Sequence, residues 1–341
     1  MTTTRDAAPP AVPATPPQRH NPTASLLSRI APQSPSQIVQ RVMLAVLVLS
    51  VLVLCIANGT FRQPDNLLNI VQQASMVGVI ACGMQLMIIS GGFDLSVGIV
   101  AAGAGCAAAY VSLSQGVLVG IVVGLVVGLL AGVANGVLIA KVGINPFVAT
   151  FGTQAVVTGI LYAATDATPI APLPVGWTDL GLKSIGGISL VSITFLIVVL
   201  ILLFVLRATV FGQHIYAIGS NKEGARRAGI HVDRVLIAVY GIGGLCAAIA
   251  GLLLVGVSGI GSPSTGTQWA LLAIAAVIIG GTPLTGGVGG ISSAVIGILS
   301  LTVLTNALNI YSVSAYWQPA LTGTAVLLAV GFEAFRSVRK R

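Results

Sequence analysis

Charge is what this sequence has least of. Only 7% of its 341 residues are Asp, Glu, Lys or Arg, against about 25% in an ordinary soluble domain, and that shortage excludes a water-soluble fold. No Gly-Lys dipeptide occurs anywhere, so there is no G-x-x-x-x-G-K-[ST] loop to cradle nucleotide phosphates. The H-E-x-x-H and G-x-S-x-G patterns are missing too, as is any paired carboxylate inside an apolar run. These absences remove the metalloprotease and serine-hydrolase classes and leave no catalytic or metal-ligating candidate. Four cysteines (Cys55, Cys82, Cys106, Cys246) all fall within apolar runs without metal-ligand spacing; they read as small buried residues and say nothing of redox compartment. No cofactor is expected. The net charge of +8 is better explained as a topology signal than as a nucleic-acid footprint.

What the sequence has in excess is apolar residue, 55% of the total, with a mean hydropathy of +1.00. Several runs approach the roughly 20 residues that cross a bilayer. The predicted fold is all-α, a polytopic integral membrane protein of about ten transmembrane helices. The spans are expected near 39–57, 70–90, 95–113, 117–140, 146–164, 188–206, 234–257, 268–286, 288–310 and 317–335, with the Gly-rich pieces at 91–105 and 280–290 as half-helices or re-entrant turns. Residues 1–36 hold eight of the sixteen prolines and read as a disordered cytoplasmic tail. The first apolar run, Val42 to Ala57, lacks a small-residue cleavage site and is read as a retained span. The transmembrane domain then covers 37–336, and 337–341 form a short basic cytoplasmic tail. With the N-terminus inside, 14 Lys and Arg residues fall inside and only Arg62 and Lys183 outside. That split predicts both termini, and the 207–234 loop, in the cytoplasm.

Within the spans the polar residues are few. Gly120, Gly124, Gly128 and Gly132 make a small-x-x-x-small face, which lets helices approach closely in lipid. Asp94, in GGFDLSVG, is the only acid within the first five spans and their cytoplasmic turns. An aspartate at a helix centre costs roughly 2.5–3.5 kcal/mol to insert, so it needs a partner. Capping the following helix is the simplest role; direct contact with a transported solute is the other. Gln72, Gln73, Gln85, Asn135, Thr150, Thr153, Gln154, Asn306, Asn309 and Gln318 are neutral hydrogen-bonding groups at membrane depth, readable as interhelical glue or, for Gln85, Asn135, Thr153, Asn306 and Gln318 above all, as lining of a translocation path. As a set they suit an uncharged polyhydroxylated solute better than an ion. A faint internal echo relates Gly91-Gly92 and Leu95 to Gly280-Gly281 and Leu284, and Asn135 with Gly152-Thr153 to Asn306 with Gly323-Thr324. The span count gives the first pair one orientation and the second pair opposite ones.

The long polar interruption runs from Arg207 to Arg234 and carries five of the sixteen basic residues. Ser220 and Glu223 form the S-x-x-E pattern of a capping box, and Gly229 stands where the helix would end. A charged helix of about ten residues is predicted there, with Ser220, Asn221, Glu223, Gly224, Ala225, Arg226, Arg227 and Gly229 as a docking element. A plain solvated loop is the alternative. Gly224 and Ala225 are expected to admit a partner surface, with one of the two adjacent arginines facing that partner and the other bracing the chain.

The segments 66–98 (ending GGFDLSVG), 134–153, 211–235 (FGQHIYAIGSNKEGARRAGIHVDRV), 273–289 and 316–330 resemble the permease subunits of ribose/xylose/arabinose/galactoside-type ABC importers, over roughly 40–336. The resemblance implies two permease chains, alike or different, forming the pore, and ATPase subunits that bind the ATP in the cytoplasm. It also implies a periplasmic or lipid-anchored solute-binding protein, a sugar substrate and a place in the bacterial inner membrane. It assigns the 220–229 helix to the ATPase contact. One departure stands out: the family's acidic pair before IGGT is replaced by Trp269-Ala270-Leu271-Leu272-Ala273, and Pro283 replaces a small polar residue. A branched-chain amino acid or signalling sugar as solute, a stand-alone secondary transporter and a membrane scaffold are the competing readings.

Overall fold

The computed structural model describes residues 35–324, with 327 and 331. The 337–341 tail lies outside the described residues. So does the tail at 1–36, except that Pro35 and Ser36 begin a helix instead of ending a loop.

Twelve helices appear in order among the described residues: α1 Pro35–Ala57, α2 Pro64–Ile89, α3 Val97–Gln115, α4 Val117–Val137 with a π-turn at Leu138–Val142, α5 Pro146–Thr165 and α6 Gly176–Leu182. A two-stranded hairpin (β1 Ser184–Ile185, β2 Ile188–Ser189) then leads to α7 Leu190–Ala208, α8 Val210–Ser220, α9 Lys222–Arg227, α10 Val232–Ser258, α11 Trp269–Ile279 and α12 Ile291–Ile310. Eight of them are long and apolar enough to cross a membrane. The protein is a polytopic, all-α membrane protein.

The centre is built from the two longest helices, α2 and α10, with 26 and 27 residues, about 40 Å each at 1.5 Å per residue. Their contact is close because Gly83 and Gly243 meet there, with Cys246 beside them. The glycine face of α4 behaves as its spacing predicts. Gly120 and Gly124 sit on the Ala108 and Ala104 carbonyls of α3, and Gly128 and Gly132 on the Gly244 and Tyr240 carbonyls of α10. All four are buried although most of α4 is not. Lipid gives no water-exclusion force between helices, so this backbone-to-backbone packing supplies the adhesion. Helix α1 is peripheral; among its described side chains only Leu47 is buried, in a cluster with Ile70 and Ile296.

Two span predictions need correction. The 91–105 stretch is no half-helix: a turn at 90–96 leads into α3, which runs its full 19 residues. The predicted span at 268–286 contains only the 11 residues of α11, about 16 Å, roughly half a hydrocarbon core. Beyond it the chain is a glycine-rich loop, 280–290. A last helical stretch opens at 318 and continues to the limit of the described residues at 324; most of the tenth predicted span lies outside them.

The first half of the sequence echo is real in three dimensions. Helix α2 ends with Gly91 N–H donating to Ile88 O (3.0 Å) and Gly92 N–H to Met87 O (2.9 Å). Helix α11 ends with Gly281 N–H donating to Ile278 O (2.8 Å) and Thr282 N–H to Val277 O (3.1 Å). Gly91 and Gly281 adopt φ of 88° and 97°, the left-handed cap that glycine alone takes without strain. The second half of the echo has no counterpart, since Asn135 and Asn306 have unrelated partners.

The bundle has two chemically distinct ends. The ends of α2, α4, α7 and α11's following loop, and the starts of α3, α5 and α10, gather with α8 and α9 at one of them. Of the nine described Lys and Arg residues, this basic end holds all but Arg62 and Lys183. At the other end, Trp177 of α6 is buried and donates its indole N–H to Ser112 Oγ (2.9 Å), while Ile170 bridges to Gly261.

Candidate functional site

The six path candidates occupy separate places. Asp94, Asn135 and Thr153 meet in one buried cluster at the turn between α2 and α3. Asp94 Oδ1 accepts from Ser96 N–H (2.7 Å) and Ser96 Oγ (2.6 Å), and Oδ2 accepts from Asn135 Nδ2 (3.0 Å). Asn135, on α4, also donates to Ser96 Oγ (2.9 Å), and Thr153, on α5, donates to Asn135 Oδ1 (2.5 Å). Next to them Leu95 N–H donates to Thr150 Oγ1 (3.1 Å), and the Tyr240 hydroxyl of α10 donates to Phe93 O (3.2 Å). The Asp94 carboxylate, in a residue only 2% exposed, thus ties the turn directly to α4, while α5 joins through Asn135 and the Leu95 N–H and α10 through the Phe93 carbonyl. Capping of α3 by Asp94 is not what is seen: Ser96 holds the N-cap position, and the Asp94 bonds close a turn one step earlier and reach across to α4. Thr150 joins from the polar set at membrane depth, whereas Tyr240 was not legible as a member, because nothing in its spacing marks it.

The other candidates are elsewhere. Gln85, in the last two turns of α2, donates Nε2 to Thr282 Oγ1 (2.9 Å) in the loop after α11. Asn306 exchanges two hydrogen bonds with Asn66 (3.0 and 3.2 Å), far from the basic end, and Gln318 donates to Asn309 (2.7 Å). In each case an amide joins two elements, the arrangement that holds helices together in an apolar medium. Any opening between these elements must exchange these bonds for others.

The docking element is built differently from its prediction. The 207–234 interruption forms two helices. On α8, Thr209 Oγ1 caps the N-terminus by accepting from Gly212 N–H (3.2 Å), and Gly212, Ile215 and Ile218 are buried. Gly219 lies directly on the Ile89 carbonyl, with no room for a side chain. The same carbonyl accepts from Gly287 N–H (2.8 Å), and the Tyr216 hydroxyl donates to Gly289 O (2.8 Å). Burial pushes the Tyr216 phenol above its ordinary pKa, with Arg207 pulling part of the way back, so it stays a donor. Thus α8 rests on the end of α2 and on the 280–290 loop at once.

Helix α9 is only six residues long, not about ten. Its cap is Asn221, whose Oδ1 accepts from Gly224 N–H (2.8 Å). The Ser220–Glu223 capping box does not form: Ser220 Oγ donates back to Tyr216 O (2.9 Å), and Glu223 pairs with Arg227 (3.4 Å). Asn beats Ser here because the chain turns one residue later than the pattern implied. Gly229 ends the helix as expected, at φ 85°, with Ile230 N–H donating to Ala225 O (3.1 Å). Ala225 is 5% exposed and anchors α9 to the core, so it offers no room to a partner. Gly224 is exposed, and a Cβ there would crowd the Asn221 cap at 3.1 Å. Arg226 braces α10 through Asp233 (3.1 Å), whereas Arg227 is 80% exposed. The outward face is therefore Asn221, Lys222, Glu223, Gly224 and Arg227.

Among the described residues no three His, Cys, Asp or Glu side chains come close enough to hold a metal ion.

Residues 66–330 match the family described as "Branched-chain amino acid transport system / permease component". The chain is 40% identical over 286 residues to the ribose import permease protein RbsC of Bacillus subtilis, covering 82% of this chain and 88% of that protein. It is 37% identical over 299 residues to the Escherichia coli (strain K12) protein of the same name, covering 85% and 92%. To the L-arabinose transport system permease protein AraH of Escherichia coli (strain K12) it is 38% identical over 270 residues, covering 78% and 82%. No solved structure gives a significant match. A match over most of the chain, set on a polytopic bundle whose polar groups tie helices together, makes this protein a member of the branched-chain amino acid transport system permease family.

Proposed function

We propose that this chain is the permease subunit of an ATP-binding-cassette importer for a monosaccharide. The α8–α9 surface carries the reading. It is a short capped helix with an exposed face, footed by Gly219 and Tyr216 on α2 and on the 280–290 loop. A separate ATPase subunit docking on Lys222, Glu223 and Arg227 would push on α8. Through Ile89 that push reaches the turn whose Asp94 cluster ties α3, α4 and α5. ATP is bound and hydrolysed by that partner, so the permease is not an enzyme. The basic end faces the cytoplasm of a bacterial cell, with both termini there, and the protein spans the inner membrane many times. A second permease chain completes the pore, and a periplasmic or lipid-anchored solute-binding protein delivers the sugar at the opposite end.

The sugar class is supported by the relatives, whose names give ribose and L-arabinose. Asp94, Asn135 and Thr153 are proposed as the gate of the path, with Gln85, Asn306 and Gln318 bonding its walls. The test is uptake into proteoliposomes holding permease, ATPase and solute-binding protein, with labelled ribose, arabinose and leucine offered in turn. ATP-dependent uptake of a pentose supports the reading; uptake of leucine alone would transfer it to amino acids. Uptake that persists without the ATPase would replace it with secondary transport. In the same system, Arg227→Trp should lower ATPase co-purification and uptake together while permease abundance holds.

A further inference from the structure

We propose that the groove between α4 and α10 at the basic end is a binding site for one anionic phospholipid of the surrounding bilayer. The groove is an open cleft of about 480 Å³. Its walls are apolar, with Leu129 and Val133 on one side and Ile237 on the other, and Lys141 and Arg234 are the two charged groups of its lining. Both cations are exposed. Among the described residues neither has a carboxylate partner, since Asp233 is taken by Arg226 and Glu223 by Arg227.

Two backbone features make the space. Gly241 lines it, and a Cβ there would sit 3.2 Å from Val133 Cγ2 and 3.4 Å from Leu129 Cδ1. The seam itself stays shut at this level, Gly132 lying on the Tyr240 carbonyl and the Gly241 backbone and Gly136 on the Ile237 backbone, so the groove is the outward-facing cleft beside a tight seam. The π-turn at Leu138–Val142 adds one residue to the last turn of α4. Lys141 lies within this wider turn, which re-aims its side chain relative to a continued α-helix, and it lines the groove together with Arg234.

An apolar slot with two unpaired cations matches a molecule with an acyl chain and a phosphate at one end. Basic pockets between membrane helices recognise lipid headgroups in this way. A second copy of this chain packed symmetrically here would bring like charges together, and a zwitterionic lipid would leave the cations without net compensation. The site is independent of the transported solute.

Native mass spectrometry of the full-length permease in detergent micelles supplies the test, with phosphatidylglycerol, phosphatidylcholine or inorganic phosphate added separately. One phosphatidylglycerol should be retained in preference to phosphatidylcholine. Lys141→Ala with Arg234→Ala should weaken that retention about 25-fold, about fivefold per charge, and leave phosphatidylcholine unchanged. Ala238 also lines the groove, and Ala238→Phe, which fills it, should abolish retention. If the double variant does not fold, Lys141→Gln alone carries the test, at about fivefold. Equal retention of the two lipids, binding of inorganic phosphate alone, or an undiminished double variant overturns the proposal. So does an Ala238→Phe protein that loses dimers while keeping its lipid.

Discussion

Replacing Asp94 with leucine removes the acceptor on which the buried cluster depends. Two donors lose their carboxylate partner, Ser96 N–H and Asn135 Nδ2, and the Ser96 hydroxyl must find another direction. Asn135 keeps its bond to Ser96 Oγ at 2.9 Å, which softens one of the losses. Each buried polar group left unsatisfied costs about 1–3 kcal/mol, so Asp94→Leu should destabilise the folded permease by about 2–5 kcal/mol. That is a large part of a total of about 5–15 kcal/mol. Asp94→Asn is a different case. Its carbonyl oxygen still accepts both Ser96 bonds, but its NH₂ meets the Asn135 NH₂. The conflict resolves if the Asn135 amide turns over, the Ser96 hydroxyl swings from residue 94 to the Asn135 oxygen that it then faces, and the Thr153 hydroxyl, now donating at 2.5 Å, accepts instead. A hydroxyl can do either, so Asp94→Asn should cost about 1 kcal/mol or less. Thr153→Val blocks that exchange and should make Asp94→Asn costly, a coupling visible in a double-mutant cycle. The assay is the thermal midpoint of the purified permease in detergent, read by loss of the monodisperse peak. A leucine variant as stable as the parent, or an asparagine variant as unstable as leucine, refutes the hydrogen-bond account. An asparagine variant that is stable yet does not transport assigns the carboxylate a direct part in transport.

Other outcomes rest on the same contacts. Asn221→Ala should lose a helix cap worth about 1 kcal/mol and speed hydrogen exchange in α9, while Ser220→Ala should leave it unchanged; the reverse pattern would restore the capping box. Gly219→Val has no space against the Ile89 carbonyl and should lift α8, cutting solute uptake far more than it cuts permease abundance; normal uptake would mean the footing does not transmit force. Cysteines placed at Thr178 and Gln213, both exposed, should label from opposite sides of the membrane, Thr178→Cys from outside, and labelling from one side would remove the proposed topology.

The composition alone settled that this chain lies in a membrane, because no arrangement of so few charges could give it a solvated surface. The glycine spacing on α4 likewise named its packing face correctly, since a period near four along a helix puts residues on one side whatever the surroundings. Gly229 was legible for a similar reason: a left-handed cap is a property of a few adjacent residues. The Ser220–Glu223 box failed because a local pattern competes with its neighbours for the turn. The burial of Ala225 and the footing of Gly219 on Ile89 decided that Asn221 would cap. Which polar residues meet was beyond the sequence altogether. Asp94, Asn135 and Thr153 come from three elements, and an amide in an apolar run looks the same whatever it bonds. Only the folded bundle, by setting α4 and α5 around the turn at 90–96, gave those three one site and left Gln85, Asn306 and Gln318 to other seams. The shortness of α11 was also a tertiary outcome. Its apolar composition would serve a full span, but its chain ends in the same glycine cap as α2 and turns back to bond the Ile89 carbonyl.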